Sequence, residues 1–256
     1  MNTDYKNIEN KLVEFLQKET GRIGIKKAVV GLSGGIDSAV TAFLSAKALG
    51  KENVLGIMMP YKTSSKESIT DAQKVVDSLG IKRKKVEITE MVDAYLAKLK
   101  DDDITAVRKG NIMARMRMIV LYDHSAKEKA LVIGTGNKTE CLLGYTTLFG
   151  DSACAINPVG DIYKTQIFGL AKYMGVPETI QTKKPSADLW TGQTDEEEMG
   201  LTYAEVDKYL FAKVNEKKSV DDLLAMGYKK DYIEKVDALI EKNKFKSLPA
   251  VVAKLF

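Results

Sequence analysis

Six residues, Ser33–Ser38 (SGGIDS), stand between a short apolar run and the start of an apolar-periodic segment, and they carry the strongest chemical signal in the chain. Gly34 and Gly35 let the backbone approach an anion closely, and Ser33 and Ser38 add hydroxyl donors. A helix beginning there offers unpaired N–H groups and the positive end of its dipole. Gly31–Ser38 (GLSGGIDS) therefore reads as a phosphate cradle. It is not a Walker loop, because Ile36 and Asp37 stand where G-x-x-x-x-G-K-[ST] requires a lysine. A carboxylate beside bound phosphates repels them unless a cation intervenes. Asp37 is thus expected to ligate Mg2+, which takes one or two carboxylates together with phosphate oxygens. The competing reading is an aspartate that only caps the next helix.

Other residues are weighed the same way. Lys164, in GDIYKTQ, opens a helical pattern carrying Ile167, Leu170, Ala171 and Met174. The dipole disfavours a cation there, which points to an anionic partner rather than to a solvated lysine. Arg115 and Arg117 are two residues apart on one helix and so point in different directions. His124, the sole histidine, falls half a turn away from Arg115 and reads as structural. Cys141 and Cys154 fit neither a disulfide framework nor metal-ligand spacing and read as packing residues, which excludes a Cys–His hydrolase. Trp190 suits stacking on a ring or packing equally well. The Lys/Asp pairs around 98–103 and the acidic run Asp195–Glu198 read as solvated surface.

These residues need a scaffold. A helix is expected over 5–19 on Ile8, Leu12, Phe15 and Leu16, then a strand at Lys27–Leu32 and a helix from about Asp37 to Leu49 closed by Gly50. Further strands are expected at Asn53–Met59, Lys84–Ile88 and Ala130–Gly134, with helices at Lys66–Leu79 (stopped by Gly80), Thr89–Leu99 and about Thr105–Lys129. Helices at Tyr203–Leu210, Val220–Met226 and Tyr232–Ile240 are expected to cover the sheet or meet a second subunit. Between Thr182 and Gly200 the pattern lapses into Lys, Pro, Ser, Thr and Gly, as expected of a functional loop.

Short strands alternating with helices make a doubly wound parallel sheet flanked by helices, an α/β fold, and residues 1–256 are expected to form one domain. With strand order 3-2-1-4, the ends of strands one and four flank the crevice where open α/β sheets bind ligands. Glu140, after the fourth strand, then faces Asp37 and becomes the second Mg2+ carboxylate; the bare sequence equally allows a helix-surface residue. At 45% apolar and 29% charged the chain has a globular composition, not a disordered one. No apolar stretch is long enough to span a bilayer, and the N-terminus lacks signal-peptide character, so a cytoplasmic location and no membrane partner are expected. Thirty-nine basic against 35 acidic residues give +4, which suits an anionic substrate and does not call for nucleic acid.

SGGIDS resembles the pyrophosphate-binding loop of the N-type ATP pyrophosphatases, which cleave ATP between its α- and β-phosphates and adenylate an oxygen of the substrate. Five further segments look like the NAD synthetase family within that group. They are Gly110–Met118 (GNIMARMRM), Gly134–Glu140 (GTGNKTE), Gly144–Asp151 (GYTTLFGD), Gly160–Gln166 (GDIYKTQ) and Pro185–Asp195 (PSADLWTGQTD). Their order matches too, and the resemblance runs from about residue 5 to at least 240.

The resemblance implies an adenine nucleotide alpha hydrolase-like fold and a reaction of ATP, deamido-NAD and ammonia giving NAD+, AMP and pyrophosphate. It implies ATP binding by Gly31, Leu32, Ser33, Gly34, Gly35, Ile36, Asp37, Ser38, Thr135, Lys164 and Ser186, with Mg2+ on Asp37 and Glu140. Lys164 and Asp151 become the catalytic residues, Lys164 against ATP phosphate and Asp151 near the nicotinate carboxylate and incoming ammonia. Arg115 is expected to contact the dinucleotide, with Arg117 open between substrate and structural roles. Relatives often carry a His-Lys pair near the C-terminus; here the stretch is Lys244, Phe245 and Lys246, so that contact passes to Phe245 and Lys246. A chain of 256 residues leaves no room for the amidohydrolase domain of glutamine-using relatives, hence ammonia as donor. A homodimer with the dinucleotide site between subunits is expected, through the Thr105–Lys129 helix with its Ile112, Met113, Met116, Ile119, Val120 and Tyr122. The Thr182–Gly200 segment is expected to act as a lid.

Overall fold

The computed structural model describes residues 3–99, 104–186 and 194–255. Four parallel strands, β1 (Ala28–Gly31), β2 (Val54–Met58), β3 (Lys82–Lys85) and β4 (Leu131–Ile133), form one sheet in the order β3-β2-β1-β4. Ala28 pairs with Val54 on one side and Leu131 on the other, so β1 is the central strand shared by both halves.

Alternation along β1 divides the core. Ala28 and Val30 point into a layer with Leu16, Leu44, Val75 and Leu170, contributed by α1 (Tyr5–Ile23), α2 (Ile36–Leu49), α3 (Lys66–Leu79) and α7 (Lys164–Met174). Val29 points the other way, with Ile57, Val92, Met113 and Val120, toward α4 (Thr89–Leu99) and α5 (Ala106–Glu128). The sheet is therefore doubly wound. Side-chain caps set several helix starts: Ser65 accepts from the N–H of Ser68 before α3, and Thr105 accepts from the N–H of Arg108 before α5.

The third strand differs from expectation. It lies at Lys82–Lys85, every residue exposed, rather than at Lys84–Ile88. Val86 and Ile88 still donate to the Met58 and Pro60 carbonyls at 2.9 Å, but they run past the strand into the core. An open sheet edge is protected by charge, so β3 carries Lys and Arg where a buried strand would carry Val and Ile. A parallel bridge from Ile133 to Ile156 covers β4 on the opposite side. Phe15, expected on the apolar face of α1, is exposed.

The C-terminal helices do not cover the sheet. α10 (Tyr203–Leu210), a π-helical turn (Phe211–Asn215), α11 (Val220–Ala225) and α12 (Lys230–Asn243) enclose a separate apolar cluster around Tyr209, Leu223 and Val236. That cluster takes in Leu143 from α6 (Lys138–Leu143) and Tyr163, just before α7. α5 keeps Val107, Ile119 and Tyr122 exposed. Among the described residues, no helix is long and apolar enough to cross a membrane.

Leu44 is fully buried between α2 and the sheet. Leu44→Ala is expected to cost about 2–5 kcal/mol in denaturant unfolding, whereas Phe15→Ala should cost far less. Equal losses at the two positions would contradict this division of the core.

Candidate active site

Pairing between β1 and β2 continues one residue beyond the strand, with the Leu32 N–H on the Ile57 carbonyl at 2.8 Å, and then the chain turns. Gly34 makes the turn at φ +80°, and a Cβ there would stand 2.2 Å from the Ser68 carbonyl oxygen. Glycine is required twice over at this position. Gly35 N–H donates to Ser33 Oγ at 3.1 Å, and Ser38 Oγ donates to the Gly35 carbonyl at 2.9 Å. Gly35 is the N-cap of α2 and supplies no side-chain cap. The first turn of α2 thus keeps its N–H groups for an anion. Leu32 and Ile36 bury their side chains in the core, leaving only their backbone to the loop.

Asp37 does not cap its helix. Its Oδ1 accepts from Asn137 Nδ2 at 2.8 Å and its Oδ2 from Lys164 Nζ at 2.5 Å, both across the crevice. After β4, Asn137 caps α6 through a reciprocal box: its Oδ1 accepts the Glu140 N–H at 3.0 Å, and Glu140 Oε2 accepts the Asn137 N–H at 3.2 Å. That leaves Glu140 Oε1 to meet Lys164 Nζ at 3.2 Å. Lys164 opens α7 with its side chain 3% exposed and its ammonium 5.1 Å from the centre of the Tyr203 ring.

Asp195 departs from the reading of its acidic run as solvated surface, although Glu197 and Glu198 are exposed. It opens a helical turn, α9 (Asp195–Met199), is 4% exposed, and accepts from the Tyr203 hydroxyl at 3.1 Å and the Tyr145 hydroxyl at 3.3 Å. Burial raises the Asp195 carboxyl above its ordinary range, with Lys164 pulling it back. Burial likewise pushes Glu140 up to about 8, against the pull of Lys164. Burial alone would lower Lys164, but the charges of Asp37 and Glu140 hold its ammonium above the ordinary value. One buried cation thus faces more carboxylate than it neutralises.

Such a set of hard oxygens converging on one point suits a small cation. Among the described residues, no group of three or more His, Cys, Asp or Glu side chains could hold a metal by itself. Two carboxylates fit Mg2+, which completes its shell with phosphate oxygens and water.

A cavity of about 320 Å3 opens over these groups, and Thr135, Asp151, Lys183, Ser186 and Arg117 join its wall. Asp151 accepts the Thr147 N–H at 2.6 Å. The cavity gathers the loop, Asp37, Glu140, Lys164, Thr135, Ser186 and Asp151 in one place. Three expected substrate residues stand outside it in the single chain. Arg115 is exposed and donates to the Leu148 carbonyl, Phe245 is 59% exposed, and Lys246 Nζ is held by the Gly144 and Thr146 carbonyls. Arg117 faces the cavity instead, with its Nε on the Met59 carbonyl. His124 bonds the Val120 carbonyl four residues back, in keeping with a structural role. Trp190, the middle of the expected lid and the charges at 100–103 lie outside the described residues.

Asn137, Tyr145 and Tyr203 carry no functional assignment from the sequence, and Asp195 carries the wrong one. For Asn137 a signal existed, since N-x-x-E from Asn137 to Glu140 is the spacing of a capping box.

Comparison with known proteins converges on one group. The NAD synthase family model matches residues 8–250. The chain is 50% identical over 255 residues to the NH3-dependent NAD+ synthetase of Fusobacterium nucleatum, covering 100% of this chain and 98% of that one. It is 49% identical to the corresponding synthetase of Chlorobaculum tepidum, over 98% of this chain and 90% of that one. Among solved structures, an NH3-dependent NAD synthetase from Campylobacter jejuni, in complex with the nitrate ion, superposes with TM-score 0.82 at 36% identity (98% and 100% coverage). An NMN synthetase from Francisella tularensis superposes with TM-score 0.88 at 34% identity (99% and 100% coverage).

Lys164→Met removes the ammonium from between two carboxylates. Breaking a buried pair in this way is expected to cost about 3–5 kcal/mol of stability, with most of it recovered when Asp37→Asn and Glu140→Gln are added. A loss under about 1 kcal/mol, or further loss in the triple variant, would show that the three groups do not share one electrostatic balance.

Proposed function

The chain belongs to the NAD synthase family, and from that premise we propose that it amidates the nicotinate carboxyl of deamido-NAD with ammonia, coupled to cleavage of ATP to AMP and pyrophosphate. This is the final step of NAD+ synthesis. The observation that carries the reading is the pair of carboxylates, Asp37 and Glu140, converging on Lys164 Nζ beside an uncapped helix start.

A carboxylate resists attack by ammonia because its leaving group would be oxide. Transfer of the adenylyl group to one carboxylate oxygen makes AMP the leaving group instead. The N–H groups at the start of α2, the Ser33 and Ser38 hydroxyls and the Lys164 ammonium stabilise the charge that grows on departing pyrophosphate. Thr135 and Ser186 hold the rest of ATP. Asp37 and Glu140 would hold Mg2+, which would supply further positive charge against the same oxygens. Asp151 orients ammonia and takes a proton from it as the new C–N bond forms. Ammonia as donor is supported by full-length identity to relatives that are NH3-dependent.

A 320 Å3 cavity lies at the small end of ligand sites and suits one nucleotide, not ATP and a dinucleotide together. Arg115, Phe245 and Lys246 then contact deamido-NAD across a homodimer interface. Exposed Val107, Ile119 and Tyr122 on α5 support that placement. A second reading, amidation of the corresponding mononucleotide, is raised by the likeness to the Francisella NMN synthetase, and the 50% identity to an NAD+ synthetase weighs against it.

Purified chain with ATP, Mg2+ and ammonium is expected to release pyrophosphate with deamido-NAD, and far less with the mononucleotide or with glutamine as donor. Preference for the mononucleotide, or efficient use of glutamine, would overturn the assignment. Asp37→Asn and Glu140→Gln should each lower kcat at least about 100-fold at ordinary Mg2+; full activity of Glu140→Gln at limiting Mg2+ would remove it from the metal. Sedimentation should give twice the 28.3 kDa chain mass, and an active monomer would contradict the shared dinucleotide site.

A further inference from the structure

Asp207 lies one layer behind the cavity, on α10, and is 1% exposed. Its Oδ1 accepts the Thr139 hydroxyl at 2.5 Å, and its Oδ2 accepts the backbone N–H of Thr165 at 2.7 Å. Thr139 Oγ1 in turn accepts the backbone N–H of Lys164 at 3.0 Å. The opening N–H groups of a helix have no partner within it. In α7 the first two, those of Lys164 and Thr165, both end on this Thr139–Asp207 pair. Tyr163, the residue before the helix, turns its hydroxyl to Asn215 Oδ1 at 2.7 Å instead.

The pair also ties two functional elements together. Thr139 immediately precedes Glu140 on α6, and Lys164 is the first residue of α7. One hydroxyl therefore fixes the backbone carrying the carboxylate against the backbone carrying the ammonium. The sites differ in charge as well. An ammonium at the first position of a helix works against the dipole, and a carboxylate buried beside that terminus offsets the cost. Burial raises the Asp207 carboxyl, while the Thr139 and Thr165 hydrogen bonds draw it back down.

We propose that Asp207 is a positioning residue for the reaction: through Thr139 and the first turn of α7 it sets where Lys164 Nζ stands between Asp37 and Glu140. This rests on the amidation reading above. A shift of about 1 Å in a reacting group costs on the order of 100-fold in rate, so the link acts on turnover more than on binding.

Asp207→Ala is expected to lower kcat by about 10- to 100-fold while KM for ATP changes by less than about 3-fold. In a Lys164→Ala background the same substitution should change kcat by less than about 2-fold, because residues acting through one another are not additive. Thr139→Ser, which keeps the hydroxyl, should stay near the starting activity, and Thr139→Val should follow Asp207→Ala. The threonine pair decides the matter if Asp207→Ala fails to fold. Loss that multiplies in the Lys164→Ala background, or a lowered melting temperature with kcat intact, would overturn the proposal. Amide exchange separates this from the reaction itself. With no substrate present, the Lys164 and Thr165 amides should exchange at least about 10-fold faster in Thr139→Val, relative to those of β1. Unchanged exchange would sink the link, whereas an unaltered chain that makes no NAD+ would sink only the reaction.

Discussion

Lys164 carries an ammonium group into the interior, where only carboxylates from other elements make its charge tolerable. Removing a charge from water costs several kcal/mol even after relaxation, and that cost is offset only if opposite charges and hydrogen bonds meet it in good geometry. Asp37 arrives from the first turn of α2, after β1, and Glu140 from α6, after β4. Neither reaches Lys164 unless β1 and β4 are neighbours, and that follows from the order β3-β2-β1-β4. The sheet topology and the central ion cluster are thus one constraint seen at two scales.

The surroundings serve the same cluster. Asn137 holds Asp37 with its amide while its oxygen starts the helix carrying Glu140. Tyr203 lays its ring against the ammonium and binds Asp195 with its hydroxyl. The C-terminal helices, which add nothing to the sheet, earn their place as a buttress. They pack on the end of α6 and on Tyr163 at the start of α7, and so hold two of the three helices that deliver charge to the cavity. Excess carboxylate around one lysine leaves the site prepared for further positive charge, as expected where polyphosphate must be accepted and pyrophosphate released.

Much of this was legible in the chain itself. The alternation of apolar runs and helical periods predicted the parallel sheet, and Gly80 and Ser65 bound α3 at its expected limits, Lys66–Leu79. SGGIDS was readable because phosphate chemistry restricts the residue types that can perform it, whereas Glu140, equally a helix-surface residue on the bare sequence, and the role of Lys164 came from the family resemblance. What escaped reading had physical reasons. β3 is an edge strand whose lysines imitate a loop. Asp195 sits among three other acids, and only its tertiary burial beside Tyr203 sets it apart. Asp207 lies in a helix of ordinary polarity, and its role depends on partners 68 and 42 positions away in the chain. Local pattern carries no information at that range.

Amidation through an adenylate requires the nicotinate carboxylate to attack the α-phosphorus of ATP. Deamido-NAD labelled with 18O in that carboxylate tests this directly. One labelled oxygen should leave the substrate and appear in AMP, with none in pyrophosphate, because the oxygen lost on amide formation is the one that took the adenylyl group. Label recovered in pyrophosphate or in water, with AMP unlabelled, would contradict the adenylate and with it the role given to the loop, the two carboxylates and Lys164.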